Sequence, residues 1–306
     1  MINNQKTNKD GSIVFIINPN SGLTSKQSVK EKIIHYFDKK EIPIKIKVTR
    51  KAGDATTFAR KYSTQKNVKA IIAVGGDGTV NEVVNGIGES GKPMGIIRGG
   101  SGNGLARHLG IPIILNKSLS IIEKANICPI DLIKINGRYS ANVSGVGFDA
   151  IVANKFQNVN TRGPVSYVRI ILAEFAVFKA QNYSIIIDGE EIEREAYLIS
   201  FANSSQFGNN ALISPTASVV DGYIDLCIVK PFHKISSPLI VERLMTGRLD
   251  KGKYIEIIKA KSVLLRQNST IYHIDGEAMD GADVLNVNIV PSVLNMIVPK
   301  SRIKNI

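Results

Sequence analysis

The sequence lacks tryptophan, carries only two cysteines and contains no apolar run long enough to span a bilayer, which takes about 20 residues. Cys128 and Cys227 lie far apart without the spacing of metal ligands, so neither a disulfide framework nor a zinc site is indicated. The polar first residues lack the apolar core of a signal peptide. These absences predict a cytoplasmic protein with reduced thiols, whose contact with any membrane is peripheral.

Acidic residues are also few, 26 against 39 basic ones, which gives the 306-residue chain a formal net charge of +13. Such a charge favours an anionic partner, either nucleic acid or acidic lipid headgroups. Aromatic residues, on which nucleic-acid bases would stack, make up only 6%. We therefore expect no nucleic acid partner and a peripheral contact with an anionic membrane surface, with a generally basic, soluble surface as the alternative. The length favours two domains, and a homodimer is one option for the assembly.

The most informative stretch begins with an apolar run, residues 71–74, that stops at Gly75-Gly76-Asp77-Gly78-Thr79 and continues as an apolar-periodic segment. This pattern predicts a buried strand, a tight turn and a helix that Thr79 caps. Glycines allow close approach of a phosphate, and the helix N-terminus attracts it. Because Asp77 would repel a phosphate, a magnesium-nucleotide is the simplest ligand. A turn without a ligand is the alternative.

The first third of the chain alternates apolar strands with amphipathic helices. Strands are predicted at residues 13–17, 44–48, 71–74 and 94–97, with helices that begin near Ser25, Gly53 and Thr79. Such alternation indicates a doubly wound parallel sheet, in which ligands bind at the carboxyl ends of the strands. The loops at residues 18–22, 49 and 75–79 all follow strands. We therefore expect them to converge on one site.

A fourth loop, residues 98–107, follows the strand at 94–97 and contains Gly99-Gly100-Ser101-Gly102-Asn103-Gly104. It has no Gly-Lys-Ser/Thr end and fails the Gly-x-Gly-x-x-Gly spacing, so it is neither a Walker A nor a dinucleotide-binding loop. Its position predicts a fourth wall of the same cleft. Glycine flexibility alone is the alternative, in which case Arg98 and Arg107 are surface charges.

The pattern changes near residue 130, after which short strands follow one another with few helices. They are predicted at residues 131–135, 139–146, 183–187, 195–202, 223–229, 262–266, 270–274, 284–290 and 294–298. This succession indicates an antiparallel β-sandwich as the second domain. Residues 165–178 are apolar on more than one face, which predicts either a buried helix or a wall that faces acyl chains.

Taken together, the motifs resemble the diacylglycerol and sphingosine lipid kinases, including soluble bacterial lipid kinases. The resemblance is carried, in the family's order, by Asn18-Pro19-Asn20-Ser21-Gly22, Thr49, Gly75-Gly-Asp-Gly-Thr-Val-Asn-Glu82, Gly100-Ser-Gly-Asn103 with Leu105-Ala106-Arg107, and Asp275-Gly276-Glu277. It implies an NAD kinase/diacylglycerol kinase-like fold with an ATP-binding domain at residues 1–129, to which residues 291–306 return. A lipid-acceptor domain would span residues 130–290, with the chemistry in the cleft between the two.

The resemblance also implies individual residue roles. ATP and magnesium would be bound by Asn18, Pro19, Asn20, Ser21, Gly22, Thr49, Gly75, Gly76, Asp77, Gly78, Thr79, Val80, Asn81, Ser101 and Asn103. The catalytic residues would be Asp77, Asp275 and Glu277, with the last two dividing the positioning and deprotonation of the acceptor hydroxyl. A structural magnesium would be held by Asp221 with backbone oxygens of Ser218 and Tyr223. Solvated turns are the alternative for both acidic sites.

The fourth loop departs from the diacylglycerol kinase pattern at one position, which bears on the identity of the lipid acceptor. Diacylglycerol kinases usually carry Asn-Asp in the fourth loop, whereas Asn103-Gly104 looks more like sphingosine and ceramide kinases. We expect an ATP- and magnesium-dependent kinase for a diacylglycerol-like or sphingoid-like hydroxyl. An NAD kinase shares Gly-Gly-Asp-Gly-Thr, but Val80-Asn81-Glu82 and Asn103-Gly104-Leu105-Ala106 look like lipid kinases. The other alternative, a non-catalytic nucleotide-binding module for membrane recruitment, does not require the acids Asp77, Asp275 and Glu277.

Overall fold

The protein was analysed as a computed structural model that describes residues 11–22, 26–99, 102–157 and 173–303, without the side chains of residues 26, 27, 156 and 157. The helices are α1 Lys26–Asp38, α2 Asp54–Ser63, α3 Asp77–Ile87, α4 Gly104–His108, α5 Leu115–Lys124, α6 Phe148–Gln157 and α7 Ser237–Thr246. The strands are β1 Ser12–Ile17, β2 Ile44–Val48, β3 Val68–Gly75, β4 Met94–Arg98, β5 Ile127–Ile135, β6 Arg138–Ser140, β7 Val143–Gly147, β8 Gln181–Ile187, β9 Glu190–Ala196, β10 Leu198–Ala202, β11 Ile224–Val229, β12 Ile255–Ala260, β13 Ser262–Arg266, β14 Tyr272–Ile274, β15 Glu277–Met279 and β16 Val284–Ile297.

The N-terminal half is built on the parallel strands β2-β1-β3-β4, with helices on both faces. Successive residues of β1 enter different cores because side chains of a strand alternate between its faces. Phe15 packs with residues of α1 and α5, whereas Ile16 packs with residues of α2 and α3. Both are fully buried. The predicted doubly wound α/β unit is confirmed.

The sheet of the N-terminal half continues into the C-terminal half. Strand β16 runs parallel to β4, with Met296 opposite Met94, and it also pairs antiparallel with β13 and β5. The full order is β2-β1-β3-β4-β16-β13-β8-β9, so the two halves share one sheet. The last strand therefore pairs with the sheet of the first half.

A second, antiparallel sheet has the order β12-β11-β10-β7-β14-β15. Its inner side chains, such as Phe201 and Leu226, pack with Ile185, Leu265 and Val287 of the first sheet in one buried cluster. This face-to-face packing confirms the predicted antiparallel β-sandwich. The boundary between the domains at residues 129 and 130 stays a prediction.

Two of the predicted strands are each divided into two strands in the structure. Residues 139–146 form β6 and β7 because the N–H groups of Ala141 and Asn142 donate to Asp275 instead of a strand, each at 3.0 Å. Residues 195–202 divide at Tyr197, where the chain passes from the first sheet to the second.

Other boundaries also differ from the prediction. The segments 284–290 and 294–298 form one strand, β16, with a bulge at Ser292, whose φ is +52°. Helix α3 begins at Asp77 with Gly76 as its N-cap, so the prediction that Thr79 caps it was wrong. The predicted cap Ser25 and most of the predicted helix 165–178 lie outside the described residues. The described part of that predicted helix is helical at residues 173–177. In the described part of the chain, no helix is both long and apolar enough to cross a membrane.

Candidate active site

The predicted loops meet at the carboxyl ends of the parallel strands. The Thr49 N–H donates to the carbonyl of Ile17 at 2.9 Å, and the Asn18 N–H donates to that of Val74 at 3.0 Å. The Gly99 N–H donates to the Gly75 carbonyl at 2.8 Å. These bonds join the loops after β1, β2, β3 and β4 into one surface, so the predicted convergence is observed.

The glycines of this surface have two kinds of surroundings, close contact with another main chain or open space. A Cβ on Gly99 would lie 2.8 Å from Gly75 Cα, so the third and fourth loops touch through their main chains. A Cβ on Gly76 or Gly78 would meet nothing within 4 Å, so these two residues face open space. Gly76, the N-cap of α3, provides no side-chain hydrogen bond to the first N–H groups of the helix. An anion fits there, at the positive end of the helix.

Side chains of the first and third loops brace this turn. Asn18 Nδ2 donates to Thr79 Oγ1 at 3.1 Å. Ser21 Oγ donates to the Asn18 carbonyl at 2.8 Å, and the Asn20 N–H donates to Asn18 Oδ1 at 2.9 Å. Gly22 has a φ of +64°. The predicted residues 18–22, including Pro19, therefore form a compact turn beside the α3 N-terminus.

Asp77 is the carboxylate at the centre of the surface. Its Oδ1 accepts the Gly104 N–H and its Oδ2 the Asn103 N–H, both at 2.8 Å. Burial raises the pKa of Asp77 above its ordinary value, and the charge of Asp275 adds to this, whereas the two N–H donors lower it. A half-buried carboxylate with a raised pKa is stabilised by a cation, so the site suits a divalent metal.

Asp275 is held by four donors. Ser140 Oγ at 2.6 Å and the Asn142 N–H at 3.0 Å donate to Oδ1, and Asn81 Nδ2 at 2.8 Å and the Ala141 N–H at 3.0 Å donate to Oδ2. The residue is only 7% exposed. With all its lone-pair positions engaged, this carboxylate fixes β14 against α3 and the residues that follow β6.

Glu277 has a different environment on the same turn. Arg138 Nη2 lies 2.7 Å from Glu277 Oε2, and about a third of each side chain is exposed. No other side chain of the described residues bonds to this carboxylate. The turn itself is held by His273, whose Nδ1 accepts the Gly276 N–H at 3.1 Å and whose Nε2 donates to Asp149 at 3.1 Å. Glu277 is thus positioned but accessible.

Three other residues predicted to bind the nucleotide, Val80, Asn81 and Ser101, differ in where they lie. Val80 is buried in the core, so only its backbone could contact a nucleotide. Asn81 lies one helical turn after Asp77 and donates to Asp275 and to the Tyr139 carbonyl, so it joins the two halves of the protein. Ser101 lies outside the described residues. The nucleotide contacts of these residues stay predictions.

The predicted magnesium ligand Asp221 already has a cationic partner. Lys259 Nζ lies 2.6 Å from Asp221 Oδ2 and 3.0 Å from Asp225 Oδ1. Asp221 Oδ1 accepts the Tyr223 N–H at 3.1 Å, and Ser218 Oγ accepts the Val220 N–H at 3.3 Å. Magnesium at Asp221 with backbone oxygens of Ser218 and Tyr223 would require the ammonium group to move, and this metal site stays a prediction.

Comparison with known proteins agrees with this geometry. The family model of the diacylglycerol kinase catalytic domain matches residues 12–135, and that of the YegS C-terminal NAD kinase beta sandwich-like domain matches residues 142–298. The chain belongs to the diacylglycerol kinase family of lipid kinases. The family assignment made from the motifs is confirmed.

Individual members of the diacylglycerol kinase family match most of the chain. A diacylglycerol kinase of Staphylococcus saprophyticus is 29% identical over 272 residues, which are 86% of this chain and 88% of the relative. One of Bacillus subtilis is 28% identical over 274 residues, with coverage of 86% and 88%. The crystal structure of a diacylglycerol kinase from Bacillus anthracis has a TM-score of 0.73 at 22% identity, over 96% of this chain and 98% of that chain, and shares its fold.

Sequence reasoning missed the residues of this lipid kinase that surround Asp275. Ser140 and the backbone of Ala141 and Asn142 lie more than 130 positions away from it in the chain, and Ser144 Oγ accepts the Asp275 N–H at 3.1 Å. The one available signal was a polar interruption, Ser140 to Ser144, within an otherwise apolar predicted strand.

Proposed function

We propose that this lipid kinase transfers the γ-phosphoryl group of ATP, with magnesium, to the hydroxyl of a diacylglycerol-like lipid. The observation that carries the proposal is the meeting of Asp77 with the Asp275–Glu277 turn. These residues lie about 200 positions apart in the chain, yet Asn81, one turn after Asp77, bonds directly to Asp275 at 2.8 Å. A phosphate-type loop and a second acidic group are therefore close to each other, which supports phosphoryl transfer to a hydroxyl.

The described residues fit ATP and magnesium. The open space at Gly76 and Gly78, the uncapped N-terminus of α3 and the braced turn at Asn18 would hold the phosphates. Asp77, whose pKa is raised by burial, would hold the metal. When bound, ATP supplies the phosphoryl group and magnesium neutralises its negative charge.

We assign the proton transfer to Glu277. A general base needs a lone pair that can reach the hydroxyl, and both oxygens of Asp275 are already engaged by four donors. Glu277 bonds to Arg138 through one oxygen and is partly exposed. In this assignment Arg138 fixes the direction of the carboxylate, and Asp275 fixes the turn that carries it.

Gly104 stands where diacylglycerol kinases usually carry an aspartate, and its surroundings bear on which lipid is the acceptor. A Cβ at this position would lie 2.4 Å from Asn142 Nδ2 and 2.8 Å from the Gln206 carbonyl oxygen. No side chain fits there, because the Asn142 amide fills the space. The buried Asn142 amide therefore lies beside the position at which diacylglycerol kinases usually carry a carboxylate. A diacylglycerol-like acceptor is favoured by the names of the curated relatives, and a sphingoid-like acceptor is the alternative.

The proposal is tested by turnover of radiolabelled ATP against diacylglycerol, monoacylglycerol, sphingoid base, ceramide, phosphatidylglycerol and NAD, each presented at equal concentration. We expect label in the diacylglycerol product and none in the nucleotide fraction. Label in NAD alone would identify a nucleotide kinase instead. Absence of label from every acceptor, with ATP still bound, would support a non-catalytic module.

A further inference from the structure

The C-terminal half exposes an apolar face on α7 and on the single turn before it. Ile235 is 88% exposed, and Val241, Met245 and Leu239 are about half exposed. By helical spacing Pro238, Leu239 and Met245 share one face with Ile235, and Val241 lies at its edge. The exposed Glu242 also lies on this face. Ile240 on the opposite face is buried and attaches α7 to the core. Residues Ile235, Leu239, Val241 and Met245 are named here the α7 face.

A second segment adds to the α7 face. The helical residues 173–177 end in Val177, which is 74% exposed. This segment lies against the start of the α7 region, because the ring of Phe175 stacks on that of Phe232 at 5.7 Å and Lys234 Nζ donates to the Ala176 carbonyl. The residues just before Val177 thus contact the residues just before Ile235. Two chain segments that are distant in sequence expose apolar side chains at one place.

The chain segment that carries the α7 face is rich in basic residues. Residues 233–254 contain Lys234, Arg243, Arg248, Lys251 and Lys253 but only two acids, Glu242 and Asp250. Glu242 lies 3.9 Å from Arg248, so its charge is partly balanced locally. Apolar side chains on the outer face of a helix, flanked by lysine and arginine, are typical of elements that lie in the interface of an anionic bilayer.

The α7 face is also connected to the candidate active site. The Leu212 N–H donates to the Leu244 carbonyl at the end of α7, at 2.9 Å. In the loop that this bond holds, Phe207 places its ring 6.4 Å from that of His273, which supports the Glu277 turn. A surface bound at α7 is therefore next to the loop that borders the cleft.

We propose that the α7 face, with Val177, docks this protein on an anionic lipid bilayer. The apolar side chains enter the acyl boundary and the flanking basic side chains contact the headgroups. The proposal rests on the lipid kinase function only in its purpose, which is to place the cleft beside a membrane-embedded acceptor. Binding to lipid can be measured without any turnover.

The test is flotation with vesicles of phosphatidylcholine, with and without phosphatidylglycerol. The variant Ile235→Glu/Met245→Glu is compared with Ile113→Glu/Ile114→Glu, whose two isoleucines are 65% and 55% exposed in the N-terminal half. Both variants replace two exposed apolar side chains by glutamate and therefore change the charge equally. We expect at least a tenfold loss of partitioning onto anionic vesicles for the α7 variant and less than a twofold loss for the control. Equal losses, or none in either, would overturn the proposal.

A second comparison separates the contribution of charge. Lys251→Ala/Lys253→Ala should weaken anionic-vesicle binding about 25-fold, since each basic side chain near the surface contributes about fivefold. Lys30→Ala/Lys32→Ala on α1 should leave binding unchanged. A larger loss in the α1 variant would place the membrane contact on the N-terminal half and overturn the proposal.

Turnover then distinguishes docking from catalysis. The α7 variant should phosphorylate a dispersed, short-chain diacylglycerol at the wild-type rate and lose activity only on vesicles. If the wild type phosphorylates no lipid yet binds anionic vesicles through the α7 face, the docking proposal stands and the kinase proposal fails. Loss of short-chain turnover in the α7 variant, with an unchanged melting temperature, would count against docking as its role.

Discussion

Replacing Asp275 by asparagine tests whether this acid is a structural anchor and not the base. Asparagine keeps the shape of the side chain and tolerates the observed φ of +50°. Its one carboxamide oxygen can serve only two of the four donors that now bond to Asp275. The Ser140 hydroxyl can turn and accept a bond from the new amide, but a backbone N–H cannot. At least one of the buried N–H groups of Ala141 and Asn142 therefore loses its acceptor.

The expected cost follows from these bonds. A buried donor without an acceptor costs about 1–3 kcal/mol, and the remaining bonds weaken because their acceptor is no longer charged. We expect Asp275→Asn to lower the free energy of unfolding by about 3 kcal/mol, which corresponds to a fall in melting temperature of about 6 °C. Glu277→Gln breaks only a partly exposed pair with Arg138 and should cost less than about 1 kcal/mol.

The assay combines denaturant unfolding with kinetics on both variants. Glu277→Gln should lower kcat about a hundredfold to ten-thousandfold, the range for a general base, without weakening binding of a nucleotide analogue. Asp275→Asn should be the less stable of the two. If Asp275→Asn unfolds at the wild-type midpoint while Glu277→Gln keeps its turnover, the assignment of both acids is wrong.

Three further perturbations test other parts of the site. Gly99→Ala should weaken nucleotide binding at least about tenfold, measured by titration, because its Cβ would lie 2.8 Å from Gly75 Cα and must separate two loops. Burial raises the pKa of Asp77 above 3.8, so its contribution to stability is present below that pH and is lost as the pH rises through the raised pKa. The unfolding free energy of the wild type relative to Asp77→Asn should therefore fall over that range, and a constant difference would contradict the raised pKa. Lys259→Met removes the cation beside Asp221 and should increase the magnesium-dependent rise in melting temperature, whereas an unchanged response would place no metal at Asp221.

The parallel half of the fold could be predicted because its signals are local. Runs such as residues 71–74 are apolar throughout, as expected for strands covered on both faces, and each ends at glycine or polar residues. The convergence of the loops then follows from the general geometry of parallel sheets. The start of α3 was misplaced because Gly76 caps a first turn that itself contains Gly78. Helix α5 was not predicted, and β3 begins at Val68, before the predicted run.

The C-terminal half was harder to predict because its decisive contacts are distant in sequence. The four donors to Asp275 come from α3, from the last residue of β6 and from the two residues after it, and no local pattern indicates them. Helix α7 was missed because its exposed face is as apolar as its buried one, which hides the helical period. The sheet shared by the two halves depends on the bulge near Ser292, whose N–H donates to the buried Asp131 at 2.7 Å.

The most direct test of the central claim is a single turnover of γ-labelled ATP with diacylglycerol in mixed micelles, measured for the wild type beside Asp77→Ala. The account predicts labelled lipid phosphate from the wild type and at least about a thousandfold slower transfer from the variant, with both proteins equally folded. Near wild-type transfer by Asp77→Ala would contradict the central role of this carboxylate. A wild-type protein that binds ATP but never labels the lipid would contradict the kinase function itself.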